Sequence, residues 1–294
     1  MTETSPTAAR GPLLPTYFLS HGGGPWPWLT GPMRDSMAQL EASLQAMPGE
    51  IGLTPEAILM VSGHWEAPTF TVQTSPNPPM VYDYGGFPEH TYRIQYPAPG
   101  SPALAARVAE LLTSAGIPVR KDAQRGYDHG MYAPLAPAWP DADIPVVQLS
   151  VKHGYNPDEH LEVGRALAPL RREGVLILGS GLSYHNLGLM GPAAAVPSRE
   201  FDDWLTATIL EAPPAERTEL LRHWDRAPSA RVAHPAEDHL IPLMVVVGAA
   251  EDEPAVRTYH QNDFFGSVTA SSFRFGAPVA RTLERVDEHP TVSA

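Results

Sequence analysis

Three short apolar runs in this sequence each deliver a histidine. Thr16–Ser20 (TYFLS) runs into His21-Gly22-Gly23-Gly24, and Ala57–Val61 (AILMV) runs into Ser62-Gly63-His64-Trp65. Val175–Leu178 (VLIL) runs into Gly179-Ser180-Gly181, with His185 just beyond. A buried strand, a glycine turn and then a polar side chain is how an open α/β sheet presents chemistry at its carboxyl edge. Imidazoles gathered at one edge make either a metal centre or an acid/base cluster. His129 repeats the context within Gly126-Tyr127-Asp128-His129-Gly130, and His239 is expected in the first turns of an apolar helix, Leu240–Ala250. His153, His160, His223 and His289 stand in polar or helical contexts and are expected at the surface or hydrogen-bonded in the core. His234, ahead of Pro235, is expected to be an N-cap-like loop residue.

Neutral imidazole suits Fe(II) and Zn(II). The chain has no cysteine, so a metal would need histidine, carboxylate or water as ligands. There is no HExxH, so the ligands must converge from distant strands. The glycine loops match neither GxGxxG nor GxxxxGK[ST], which argues against a phosphate cradle. Gly179-Ser180-Gly181-Leu182-Ser183 places its serines wrongly for a nucleophile elbow. A formal charge of −13 with no basic stretch disfavours a nucleic-acid partner. No apolar run is long enough for a membrane span. The N-terminal residues lack the charge and apolar pattern of a signal peptide, so a cytoplasmic protein is expected.

The elements that must carry these histidines follow from periodicity and punctuation. Apolar positions Met37, Leu40, Leu44 and Met47 predict a helix over Pro32–Met47, and Ser101 with Pro102 opens another over Ser101–Ala115. Further helices are predicted at Asp158–Arg171, Ser198–Leu210 and Ala215–Trp224, and further strands at Thr69–Thr74, Val119–Lys121, Ile144–Ser150 and Val268–Phe275. Pro76–Gly100, rich in Tyr, Pro and Gly, is a loop of a length that is more often functional than idle. The 33 prolines are spread through loops and helix starts and read as stiffening. The domain plan is a mobile N-terminal tail over 1–12, one catalytic α/β domain over 13–276, and a polar tail over 277–294.

Ser20-His21-Gly22, Ser62-Gly63-His64-Trp65, Asp83-Tyr84-Gly85-Gly86-Phe87-Pro88, Tyr96-Pro97-Ala98-Pro99-Gly100-Ser101-Pro102, Asp128-His129-Gly130, Gly181 through Leu187, and Glu237-Asp238-His239-Leu240-Ile241-Pro242-Leu243 occur in this order. In series they resemble the DOPA-dioxygenase branch of the class III extradiol ring-cleaving dioxygenases, the superfamily of protocatechuate 4,5-dioxygenase. The resemblance spans roughly Leu14 to Phe275. It implies a three-layer α/β/α domain around a mixed sheet. It makes His21, His64 and His239 the metal ligands, with Fe(II) in the active enzyme and Zn(II) possible in purified protein. It makes His185 the acid/base residue or a fourth ligand, and His129 a hydrogen-bond partner of substrate or oxygen. The substrates would be a small aromatic diol and O2, and the product a ring-opened semialdehyde. Tyr82, Tyr84, Phe87 and Trp65 are candidates for the substrate pocket, and the bulky segment Gly22–Trp28 is expected to narrow it. Alternatives on the same histidines are a zinc-dependent hydrolase and a non-catalytic metal-binding relative. Nothing in the sequence fixes the oligomeric state.

Overall fold

The computed structural model describes residues 11–279. The expected tails over 1–12 and 277–294 fall almost wholly outside those residues, as does His289. Eight strands form one mixed sheet: β1 Thr16–Ser20, β2 Ala57–Ala67, β3 Thr71–Gln73, β4 Arg120–Asp122, β5 Val146–Lys152, β6 Val175–Gly181, β7 Ala255–Phe264 and β8 Val268–Phe275. Their spatial order is β4-β3-β5-β2-β6-β1-β8-β7. The central four, β5, β2, β6 and β1, run parallel, while β8 lies antiparallel to β1, and β3 to β5. All four carboxyl ends therefore open on one edge, with Ser20 in register with Gly181 and Ser62 with Ser180. These strands are continuous apolar runs because both faces are covered.

The helices are α1 Pro32–Asp35, α2 Ala38–Ile51, α3 Pro102–Ser114, α4 His129–Ala138, α5 Pro157–Leu167, α6 Ala195–Leu210, α7 Pro214–Arg222, α8 Ala230–Ala233 and α9 Pro242–Ala249. Alternation along β6 shows the layers. Gly179 faces the carbonyl of Pro242 at the start of α9, while the next residue, Ser180, donates its hydroxyl to the Gly130 carbonyl of α4. One face thus carries α9 with α5 packed on it, and the other carries α4 with α2 packed on it. This is the expected three-layer α/β/α domain.

Several boundaries differ from expectation. The single helix over Pro32–Met47 is two: α1 stops at Asp35, and α2 runs on through Pro48 to Ile51. Pro48 is tolerated because α2 keeps burying Leu44, Met47 and Ile51 against the core on either side of it. The stretch read as one helix to Arg171 is α5 followed by a 3-10 turn over Ala168–Arg172. The Pro76–Gly100 loop contains a 3-10 turn over Glu89–Arg93. Sequence reasoning missed β7, whose mixed burial gives no clean alternation, and α4, whose Pro134 and Pro137 argue against a helix.

His160 is a hydrogen-bonded core histidine. It is 0% exposed, its Nδ1 lies 2.7 Å from the Asn156 carbonyl, and its Nε2 lies 3.2 Å from the backbone N of Lys152. Burial lowers its pKa to about 4, and burial lowers that of His234 to about 3. Above about pH 6.5 both histidines are neutral folded or unfolded. Below that value the unfolded chain takes up protons that the folded chain refuses, so stability falls as pH drops from about 6.5 towards 4. His160 alone accounts for about 3 kcal/mol of that loss. Urea unfolding of His160→Gln across this range should show a flatter pH dependence than the parent; an unchanged slope would remove His160 as a source.

Candidate active site

Each histidine reaches the carboxyl edge by a different device. His21 directly follows β1, its N–H donating to the Gly181 carbonyl at 3.1 Å. The Trp26 indole N–H donates to the His21 carbonyl at 2.8 Å, and the ring fills the space beside Gly22. Trp26 is fully buried, so within the bulky segment it braces His21. His64 lies inside β2, in an excursion where the pairing with β5 jumps from Ser62–Ser150 to Glu66–Val151. The three residues between, Gly63 to Trp65, leave the ladder and project His64 from the sheet.

The expected turn at Gly179–Gly181 is strand, since β6 runs through Gly181. The glycines serve close approach instead. A Cβ on Gly181 would stand 1.9 Å from the His239 carbonyl oxygen, and one on Gly63 would stand 2.7 Å from that of Asp238. The backbone of Asp238-His239 therefore rests directly on β2 and β6, and the Leu182 N–H donates to the His239 carbonyl at 3.1 Å. His239 itself precedes α9, which starts only at Pro242. Gly181→Ala should push His239 off the sheet and lower metal affinity by at least about 10-fold, the scale on which displaced ligand supports act. Equilibrium titration with Zn(II) checks this, and an unchanged affinity would show that the segment can give way.

The three imidazoles meet at their Nε2 atoms. His64 Nε2 is 3.2 Å from His21 Nε2 and 3.1 Å from His239 Nε2. The Nδ1 atoms of His239 and His64 face carboxylates, Asp238 at 2.7 Å and Asp83 at 3.3 Å. Donation of Nδ1–H from His239 to Asp238 leaves its Nε2 as a bare lone pair, and the negative Asp83 carboxylate 3.3 Å from His64 Nδ1 favours the same tautomer there. In that tautomer the two Nε2 atoms, 3.1 Å apart, both offer lone pairs, and a cation between them relieves their repulsion. Ligand atoms on metal–nitrogen bonds of zinc length would be about 3.0–3.4 Å apart. The donor set therefore fits a metal. Burial lowers the pKa of His21 and His239 well below the ordinary histidine value and that of His64 to about 4, so all three are neutral donors. His21 Nδ1 is buried with no partner among the described residues.

Two further histidines flank this trio. The His129 ring lies 3.9 Å from that of His64 and 5.2 Å from that of His21. Its Nδ1 is 2.9 Å from Asp83, whose same oxygen accepts the His129 backbone N–H at 3.0 Å. His185 stacks on His239 with ring centres 3.3 Å apart, and its Nδ1 is 3.8 Å from Asp238. Burial would raise the pKa of Asp83, but the hydrogen bond and charge of His129, with the charge of His64, bring it down to about 2. Asp238 is likewise held far below the usual carboxylate range, burial being outweighed by His185 and His239.

Beneath His129, Asp128 caps α4. Its carboxylate accepts from Ser62, the Met131 N–H, Gln148 and Arg125, which ties α4 to β2 and β5. Of the aromatic candidates, Tyr84 is nearest the histidines: its ring packs edge-on to His129 at 5.9 Å, and its hydroxyl donates to the Thr91 carbonyl. Phe87 packs on Tyr84 and over Gly24. Tyr82 donates to the Ile94 carbonyl and packs on Tyr84. Trp65 is buried, with the Arg125 guanidinium over its ring. His234 is not an N-cap. It follows α8, is fully buried between Phe201 and Trp224, and its Nε2 lies 3.0 Å from the Ser183 carbonyl. Sequence reasoning assigned no role to Asp83, Asp128 or Asp238. The signal was an acidic residue immediately before His129 and another immediately before His239.

The family model described as the catalytic LigB subunit of aromatic ring-opening dioxygenase matches residues 15–276. The chain belongs to this family. Among relatives of the LigB-family chain, "Dioxygenase tasH" of Hapsidospora irregularis is 38% identical over 84% of this chain and 81% of its own length. The "4,5-DOPA dioxygenase extradiol" of Beta vulgaris is 36% identical over 88% of this chain and 96% of its own. That of Escherichia coli K12 is 35% identical over 90% and 95%. The crystal structure of an uncharacterized protein from Escherichia coli K12 superposes with a TM-score of 0.72 at 32% identity, covering 90% of this chain and all of that one. The protein is thus an extradiol-type aromatic ring-opening dioxygenase with a histidine site able to bind a metal, acting on an aromatic substrate and O2. The described residues include no helix long and apolar enough to cross a membrane.

Proposed function

We propose that this LigB-family enzyme uses Fe(II), held by His21, His64 and His239, to open a substituted catechol of the DOPA type beside its diol. The carrying observation is the approach of the His64 and His239 Nε2 atoms to 3.1 Å while Nδ1 of each ring faces a carboxylate. Relatives named for 4,5-DOPA support the substrate class. Bound iron supplies Lewis acidity towards the diol and a path for electrons from diol to dioxygen. Both oxygen atoms enter the product, so the reaction needs no external reductant. His185, beside His239 at the mouth of the trio, takes the proton of a diol hydroxyl and returns it as the ring opens. His129, held through Nδ1 by Asp83, presents Nε2 to the reacting oxygens. Tyr84 and Phe87 close over the ring and exclude water. The protein works in the cytoplasm.

Metal-free protein reloaded anaerobically with Fe(II), and separately with Zn(II), should be given a panel of catechols while oxygen uptake and the visible spectrum are followed. Iron-dependent uptake of one O2 per catechol with a yellow product is expected. No uptake with iron bound would overturn the reading.

A further inference from the structure

Asp83 belongs to none of the strands that carry the metal-facing histidines. It rides on the long segment between β3 and α3, beside Tyr84, which packs on His129, and Phe87, which packs on Tyr84. Yet its side chain, only 18% exposed, turns inward and spans two imidazoles: one carboxylate oxygen lies 3.3 Å from His64 Nδ1, and the other lies 2.9 Å from His129 Nδ1. The second oxygen also accepts the His129 backbone N–H at 3.0 Å.

We infer that Asp83 is a positioning residue that ties the covering segment to the metal centre. A carboxylate is acceptor-only, so the hydrogen-bonded Nδ1 of His129 carries the proton, and the negative charge 3.3 Å from His64 Nδ1 favours the proton there too, leaving both Nε2 lone pairs free for the site. The free histidine side chain favours the opposite tautomer, with the proton on Nε2. Without Asp83, His64 would spend much of its time with a proton where the metal must bind, and His129 would lose its orientation. Asn cannot replace it, since one amide oxygen cannot serve both rings while its NH2 turns a donor towards one of them. Outer partners of this kind typically change metal affinity by about 10–100-fold. The segment that recognises the ring therefore also prepares the ligand that holds the metal.

This inference rests on His64 being a metal ligand, and the test separates the two. Metal-free protein is titrated with Zn(II) against a competing chelator for the parent, Asp83→Ala, Asp83→Asn, Glu89→Ala and His64→Ala. Glu89 lies on the same segment, with its side chain 81% exposed. Asp83→Ala and Asp83→Asn should each weaken binding about 10–100-fold while Glu89→Ala stays within twofold. In nitrogen-15 spectra of histidine-labelled, metal-free protein, His64 and His129 should both report Nδ1–H in the parent and shift towards Nε2–H in Asp83→Ala. A merely structural role would leave the tautomers untouched. A folded Asp83→Asn protein with parental affinity and parental tautomers, beside a His64→Ala protein that has lost the metal, would overturn the role of Asp83. Parental affinity in His64→Ala would instead overturn the ligand assignment beneath it.

Discussion

Replacing His64 by alanine should abolish stoichiometric metal binding and ring cleavage together. His64 is the middle of the trio: its Nε2 is 3.2 Å from that of His21 and 3.1 Å from that of His239. Removing it leaves two imidazoles and a gap where the third donor stood. Loss of a support behind a ligand already weakens binding by about 10–100-fold, so loss of the ligand should exceed about 100-fold. The fold should survive, because His64 lies in the β2 excursion outside the paired ladder, and its neighbour Ser62 keeps its bond to Asp128. Metal content after dialysis, oxygen uptake and the unfolding midpoint should be measured on one preparation. A protein that keeps its metal and its midpoint would exclude His64 from the ligand set.

His185→Ala should behave in the opposite way, keeping the metal and losing turnover. His185 reaches the site from the residues after β6, fixed by its N–H bond to the Ala233 carbonyl. Its ring lies flat against that of His239, and the nearest carboxylate, Asp238, is 3.8 Å from its Nδ1. This places an imidazole beside the trio, with one of its nitrogens within 4.8 Å of a ligand atom of Asp238 and of His239. General acid/base groups typically contribute about 10²–10⁴-fold, and kcat should fall on that scale while iron content and the apparent KM for the catechol change little. Loss of iron in step with activity would make His185 a ligand instead. Full activity would remove it from proton transfer.

Which parts of this site could be read beforehand follows from what period and punctuation record. The runs ending at Ser20, Val61 and Leu178 are buried on both faces, so unbroken hydrophobicity marked them as buried strands, and the histidines beyond them pointed to one shared site. Gly179 and Gly181 looked like a turn because glycine is the same letter whether it permits a turn or lets another backbone approach. Only the position of the His239 carbonyl above Gly181 decides between these. α4 was illegible because burial of every residue from His129 to Leu135 erases the amphipathic pattern, while two prolines mimic a loop. Asp83 sat in plain view at the head of Asp83-Tyr84-Gly85-Gly86, and Asp238 directly before His239. Asp238 bonds the ring of its own neighbour, whereas Asp83 faces imidazoles contributed by other elements, a relation between distant residues that no local window carries.

The division between sheet and covering segment bears on how such an enzyme can change its diet. His21, His64 and His239 are held by the hydrogen-bond register of β1, β2 and β6 and by backbone laid directly on glycine. A change in that set disturbs the core. Tyr84 and Phe87, by contrast, are only partly buried, on a stretch fastened to the body through the Val81–Tyr127 and Tyr127–Pro79 backbone bonds. Substitutions there cost little stability, so new ring substituents can be accommodated without rebuilding the chemistry. A library confined to residues 84–92, with Asp83 left alone, is the region in which altered catechol preference should be found first.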